Sequence, residues 1–205
     1  MPYSKELITL LQDIEAESKK LAGDRLALLE TTIQETRSAR EEMGQVNLLF
    51  VCTHNSRRSH FADFWAQVFL EHYGVFGVQC SSCGTEATEC NPRTVASLER
   101  SGFQLQSDQA SENPQYVVEL ADSSKTLFSK AFGNPSLPTE NVVAMMCCDD
   151  ADTKCPVVPG AISRVSLHYL DPKASDGSES EAATYDERSY QIAAEMAFLM
   201  RGLGK

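Results

Sequence analysis

No stretch of the 205-residue chain approaches the roughly 18–20 consecutive apolar residues that a membrane-spanning helix needs. Its opening, MPYSKELITLLQDIEAESKK, lacks the charged–apolar–small layout of a signal peptide, so no membrane partner is expected and the cytosol is the expected location. Positive charge is scarce. Lys and Arg number 18 against 29 Asp and Glu, a net charge of −11, and no dense basic footprint stands out. That argues against nucleic acid as a partner, and an anionic substrate must be captured locally, against the global field. Internal repeats are missing. The one low-complexity piece, SDGSESEAAT, is expected to be a mobile surface loop. An even cysteine framework is missing too. The seven cysteines, at 52, 80, 83, 90, 147, 148 and 155, form an odd set that argues against a structural disulfide scaffold. Cys80-x-x-Cys83 has Cys90 nearby but no second knuckle, and His60, His72 and His168 show no ligand spacing, so no metal site is expected.

What is present begins with two helices over residues 4–44. Leu7, Leu10, Leu11, Ile14 and Leu21 follow helical spacing, and Gly23 can end that helix. Asp24 is placed to cap a second helix with Leu26, Leu29 and Ile33 on its apolar positions, and Gly44 to stop it. The hairpin 1–44 is expected to pack on the main domain. The alternative is a homodimer surface, although its stripe is too short for a sustained heptad pattern.

Residues 45–205 read as one α/β domain with a parallel sheet, because strands alternate with helices. VNLLFVC is a continuous apolar run, as in a strand buried on both faces. VFGVQCSS, ENVVAMMCC and AISRVSLHYL supply three more strands. Helices are expected over 58–73, over NPRTVASLERSG with Asn91 as cap and Pro92 in the first turn, and over about 182–201. Residues 104–140 fit less well and are expected to be an insertion, either a hairpin or a long ordered loop.

The chemistry concentrates in FVCTHNSRRSHFAD. Ligands of open α/β sheets bind at the carboxyl ends of strands, and Cys52 ends the first one. Cys52, Thr53, His54, Asn55, Ser56, Arg57, Arg58 and Ser59 form a Cys-x5-Arg-Ser loop. A short loop between strand and helix turns successive N–H groups inward, and with the helix N-terminus they make an anion site. Arg58 can grip two oxygens of a tetrahedral anion above the sulfur, Asn55 can brace the loop, and Ser59 can donate to the sulfur. The same positive field favours thiolate over thiol. Arg57 either adds positive charge or pairs with a surface carboxylate, and His54 is expected to be solvated or structural rather than a base.

A second thiol pair follows the third strand, in MMCCDDADTKCPVVPG. Parallel neighbours end on the same side, so Cys148 and Cys155 are expected near Cys52, while Cys147 points to the other face and belongs to the core. Three thiols converging on one anion pocket suggest serial exchange: Cys52 attacks, Cys148 resolves, and Cys155 carries the disulfide outward. Joining Cys148 to Cys155 requires Cα atoms within about 7 Å, so a helix in DDADTK would have to unwind or bend. After the fourth strand, Asp171 precedes Pro172, which fixes the direction of a carboxyl that can act as a general acid.

With these residues assembled, the chain resembles the thioredoxin-coupled arsenate reductase branch of the low-molecular-weight protein tyrosine phosphatase superfamily. That branch carries a VCTGNSCRS-type loop, here VCTHNSRRS, so Cys52, Asn55, Arg58 and Ser59 match. Its distal CGDAADKCP-like run is similar to CDDADTKCP, and its Asp-Pro to Asp171-Pro172. The resemblance covers roughly 46–201, and three motifs occur in order. It implies a flavodoxin-like four-stranded parallel sheet with helices on both faces, to which the hairpin 1–44 is an addition. It further implies arsenate in the loop, release as arsenite, and a cysteine relay emptied by thioredoxin. Some members bind potassium near the loop, and Asn55, Asp63 and Ser82 occupy similar positions. His54 in place of a small residue and Arg57 in place of a cysteine depart from the pattern. Two other functions stay open: a phosphatase acting on phosphotyrosine or a small phosphoester, and a non-enzymatic oxyanion- or redox-sensing module.

Overall fold

The computed structural model describes residues 3–107, 111–154 and 157–204. Four strands, β1 (Val46–Cys52), β2 (Val78–Gly84), β6 (Val142–Met146) and β7 (Ala161–Ser166), form a parallel sheet in the order β2-β1-β6-β7. Every residue of β1 and β6 is buried. Successive side chains alternate between faces, so both faces of these central strands are covered. Helix α3 (Arg58–His72) packs on β1 and β2, and the short α5 (Asp149–Lys154) on β1 and β6. The long α6 (Glu181–Leu203) lies along α3 and also contacts α4 (Pro92–Arg100). Trp65, Phe61, Phe64 and Phe69 of α3 are essentially fully buried. Each contributes on the order of 2–3 kcal/mol of transfer free energy on burial. The flavodoxin-like four-stranded sheet expected from sequence is present.

The two N-terminal helices are α1 (Lys5–Ser18) and α2 (Gly23–Met43), and both pack against α6. Leu7, Leu11 and Ile14 carry the buried stripe of α1. Leu21 falls outside that helix, in the connection. Ala22, not Asp24, holds the N-cap position of α2; Asp24 sits in the first turn, where its charge faces the positive end of the helix dipole. Gly44 ends α2 in a left-handed conformation, φ 76°. Gly202 lets α6 approach α2 closely: a Cβ there would meet Ile33 Cδ1 at 2.3 Å.

The stretch 104–140 is neither a two-stranded hairpin nor a plain loop. It contains a three-stranded antiparallel sheet, β3 (Leu105–Ser107), β4 (Tyr116–Glu119) and β5 (Ser124–Leu127), in chain order. SDGSESEAAT is also more ordered than expected: Ser175 closes a 3₁₀ turn, and α6 already begins at Glu181. The second strand starts at Val78, after Gly77 turns the chain at φ 72°, and not at Val75. Among the described residues, no helix is long and apolar enough to cross a membrane.

Candidate active site

Three strand ends meet at one edge of the sheet. Val51 pairs with Met146, and Cys52 with Gly84, so Cys52 and the Cys147–Cys148 step stand side by side where β1 and β6 finish. The backbone confirms the join: Cys147 N–H donates to Val51 O at 2.7 Å, and Tyr169 N–H, beyond β7, donates to Cys147 O at 3.1 Å.

Between Cys52 and α3 the chain wraps as a cup, and its carbonyls are tied outward. Cys52 O accepts from Thr85 N, Thr53 O from Glu86 N, and Ser56 O from Asn91 N. His54 O accepts from Ser129 Oγ at 2.8 Å. With the carbonyls held by the scaffold, the N–H groups of Thr53 to Ser59 meet no acceptor among the described residues. Unpaired donors turned into one loop suit an anion. Gly84 makes the wrap possible, because a Cβ there would stand 2.5 Å from Glu86 O, 2.6 Å from Thr53 O and 2.7 Å from Asn55 N.

Asn55 is the brace. It is fully buried and left-handed at φ 43°. Its Oδ1 accepts from Lys130 N–H at 2.8 Å, which orients the amide and sends Nδ2 to Ser59 Oγ at 2.9 Å. Since Ser59 Oγ already accepts from Asn55, its own proton is free to point at Cys52 Sγ, 3.0 Å away. The serine is therefore set to donate to a thiolate. Arg58 reaches the mouth of the cup. Its Nη1 donates to Tyr169 O at 3.1 Å, and its Nη2 pairs with Asp171 Oδ2 at 2.8 Å. Its Nε is buried without a partner. Asp171 also caps the following 3₁₀ turn, with Oδ1 accepting from Lys173 N–H.

Arg57 turns elsewhere. Its Nε donates to Tyr185 OH at 2.8 Å, and its guanidinium faces Asp176 at 3.7 Å, so its charge is committed to a carboxylate of the 171–176 segment. Half-exposed His54 lies 3.7 Å from Glu86. Cys148 sits beside the cup, with its sulfur 3.5 Å from Thr53 Oγ1 and accepting from Ala151 N–H at the start of α5. Cys155 lies outside the described residues. Cys147 is core, as expected, and burial holds its thiol pKa well above the usual range. Helix α5 spans the residues between the two distal cysteines, and Asp152 fastens it to Arg164, Ser166 and His168.

Several residues that shape the site carry no motif. Ser129 and Lys130 follow β5 and stitch the cup from below. Tyr169 holds Arg58 with its carbonyl while its hydroxyl donates to Glu195 Oε2 at 2.8 Å. Glu195 in turn receives both ends of the Arg25 fork from α2, at 3.0 and 2.7 Å. The only sequence signal for Ser129-Lys130 was a polar pair inside an aromatic-rich run.

The positions suggested for potassium do not fit that ion. Asn55 Oδ1 is spent on Lys130 N–H, and Asp63 Oδ1 lies 2.5 Å from the Lys125 ammonium. Ser82 Oγ is buried and without a partner, but the positive charge that a potassium ion would bring to Asp63 is already supplied by Lys125.

A parallel four-stranded sheet with a Cys-x5-Arg-Ser cup at its carboxyl edge offers a tetrahedral oxyanion a ring of N–H groups above a sulfur. The family model described as low molecular weight phosphotyrosine protein phosphatase matches residues 47–158, more than half of the chain, and the protein belongs to that family. Among its relatives, an arsenate reductase of Bacillus subtilis is 30% identical over 142 residues, covering 69% of this chain and 84% of its own. An arsenate reductase of Bacillus licheniformis is 26% identical over 147 residues, 71% of this chain and 88% of its own. A crystal structure of a YwlE mutant from Bacillus subtilis superposes with a TM-score of 0.52 at 15% identity, covering 78% of this chain and all of that one, a likeness of fold.

Proposed function

We propose that the protein is an arsenate reductase working through a cysteine relay. The observation that carries this reading is Cys148, whose sulfur lies beside the cup at Thr53, two residues past the end of β6, the strand next to the one that ends in Cys52. A hydrolase clears its intermediate with water and has no use for a second thiol at that place.

Arsenate enters the cup, with the loop N–H groups and Arg58 on its oxygens and Asp171 displaced from the guanidinium. Asp171, once off the guanidinium, takes up a proton that the entering arsenate gives up; the Cys52 thiolate attacks As(V), and an oxygen departs as water after taking that proton back from Asp171. The Cys148 thiolate then attacks Cys52 Sγ. The S–As bond breaks, its electron pair stays on arsenic, and As(III) leaves as arsenite with a Cys52–Cys148 disulfide behind. The Cys155 thiolate attacks Cys148, which frees Cys52 as thiolate and leaves Cys148–Cys155. A dithiol reductant of thioredoxin type returns the two electrons. Helix α5 must open for the second exchange, since it separates the two distal cysteines.

The phosphatase reading shares Cys52, Arg58 and Asp171, and the family to which the chain belongs favours it as the alternative. Single-turnover reaction with arsenate, followed by mass spectrometry of cysteine connectivity, separates them. The relay predicts arsenite together with a Cys148–Cys155 disulfide. Arsenate turnover that survives Cys148→Ser, or phosphoester turnover as the only activity found, would replace the relay with hydrolysis.

A further inference from the structure

We infer that Lys125 is a tethered cation that sets the anion cup from beneath, as a positioning residue, and makes it independent of any dissolved alkali ion. Asp63, on α3 five residues after Arg58, has a side chain only 2% exposed. A carboxylate so deeply buried needs a positive partner. Lys125 of β5 supplies it: Nζ lies 2.5 Å from Asp63 Oδ1 and donates to Cys80 O of β2 at 2.8 Å, with its own side chain 13% exposed. One ammonium thus joins the antiparallel sheet, the helix that carries Arg58 and Ser59, and a strand next to β1.

The connection continues into the cup. Leu127 ends β5, and within three residues Ser129 Oγ donates to His54 O and Lys130 N–H donates to Asn55 Oδ1. Asn55 then holds Ser59 against Cys52. Fixing β5 at Lys125 therefore fixes where its continuation meets the loop. A dissolved ion would find its place taken, because a second positive charge beside the buried ammonium is repelled. The inference concerns the cup itself and holds for arsenate and for a phosphoester alike.

The test uses the full chain, the single variant Lys125→Met, and the double variant Asp63→Asn/Lys125→Met. Thermal unfolding and protection of Cys52 from iodoacetamide by inorganic phosphate are measured in potassium chloride and in tetramethylammonium chloride at equal ionic strength. Neither readout needs turnover, so the result is independent of the arsenate reading. The wild type should show the same phosphate protection in both salts. Lys125→Met should lose about tenfold or more in phosphate affinity in tetramethylammonium and regain most of it in potassium, which can enter beside the vacated carboxylate. The double variant, with no charge left to compensate, should fold and show no potassium effect. A potassium-stimulated wild type would overturn the inference. So would a Lys125→Met protein whose phosphate protection is unchanged, or one that potassium does not restore.

Discussion

Asn55→Ala tests the cup at its most constrained point. Two costs are involved. At φ 43°, alanine pays the left-handed penalty, roughly 1–2 kcal/mol, that asparagine tolerates better. Removal of Oδ1 also leaves the Lys130 N–H, in a residue only 6% exposed, without an acceptor, at about 1–3 kcal/mol. The expected loss of stability in equilibrium urea unfolding is therefore about 2–5 kcal/mol. Asn55→Gly keeps the second cost and removes the first, so it should be the more stable of the two by about 1 kcal/mol. Both variants free Ser59 from its donor at 2.9 Å, so the serine proton no longer has one direction and Cys52 alkylation by iodoacetamide should slow at neutral pH. Equal stabilities for the alanine and glycine variants would refute the backbone part of this reasoning. Alkylation at the wild-type rate would refute the claim that Asn55 aims Ser59.

Buried His60 gives a pH dependence. Burial, reinforced by the Lys130 charge, brings its pKa down from 6.5 to about 3. Below about pH 6.5 the unfolded chain binds a proton that the folded one refuses, so stability is intact above that pH and falls by about 1.4 kcal/mol per unit toward pH 3. His60→Leu should flatten this slope in urea melts between about pH 7 and pH 5, and an unchanged slope would count against it. Arg25→Ala leaves the Glu195 carboxylate, 1% exposed as a residue, without its bidentate partner, and should cost about 3–5 kcal/mol by thermal or urea unfolding. A loss below about 1 kcal/mol would mean that Tyr169 alone suffices. Asp171→Asn removes the carboxylate that occupies Arg58 at 2.8 Å, so calorimetry should find inorganic phosphate bound more tightly even as turnover falls about 10²–10⁴-fold. Weaker phosphate binding would show that the pair does not compete with substrate. Gly84→Ala drives a Cβ into three backbone atoms of the wrap and should abolish phosphate protection of Cys52, whereas intact protection would mean that the loop relaxes freely.

The strands and the cup were legible because their signals are local. VNLLFVC and ENVVAMMCC announce buried parallel strands by being apolar at every step, and Cys-x5-Arg-Ser states a loop geometry within eight residues. Asn91 and Pro92 marked a helix start that the structure shows, with Asn91 Oδ1 accepting from Arg93 N–H at 2.9 Å. The supports of the cup were not legible. Lys130 meets Asn55 across 75 residues, Ser129 meets His54 across the same separation, and Arg25 meets Glu195 across 170. No periodicity records such pairings; each residue alone looks like an ordinary surface charge or hydroxyl. Arg57 illustrates the converse. Its place in the motif left two roles open, added positive charge or pairing with a carboxylate, and tertiary pairing with Tyr185 and Asp176 takes its guanidinium.

These pairings also explain how an acidic chain builds an anion site. Three of the charges around the cup are neutralised in place: Arg57 by Asp176, Lys125 by Asp63, and in the free protein Arg58 by Asp171. The net charge of −11 is largely screened beyond a Debye length of about 8–10 Å, so what an approaching oxyanion meets is set locally. Only one of the three pairs is exchangeable. Asp171 is the most exposed of the three carboxylates and stands at the mouth, whereas Asp63 is sealed and Asp176 is shared with Tyr185. In the proposed reaction the incoming anion displaces the one carboxylate that is free to move, and Asp171, having taken up a proton on that step, returns it to the departing oxygen. On that proposal substrate capture and acid catalysis draw on a single ion pair, while the buried pairs hold the loop still around it.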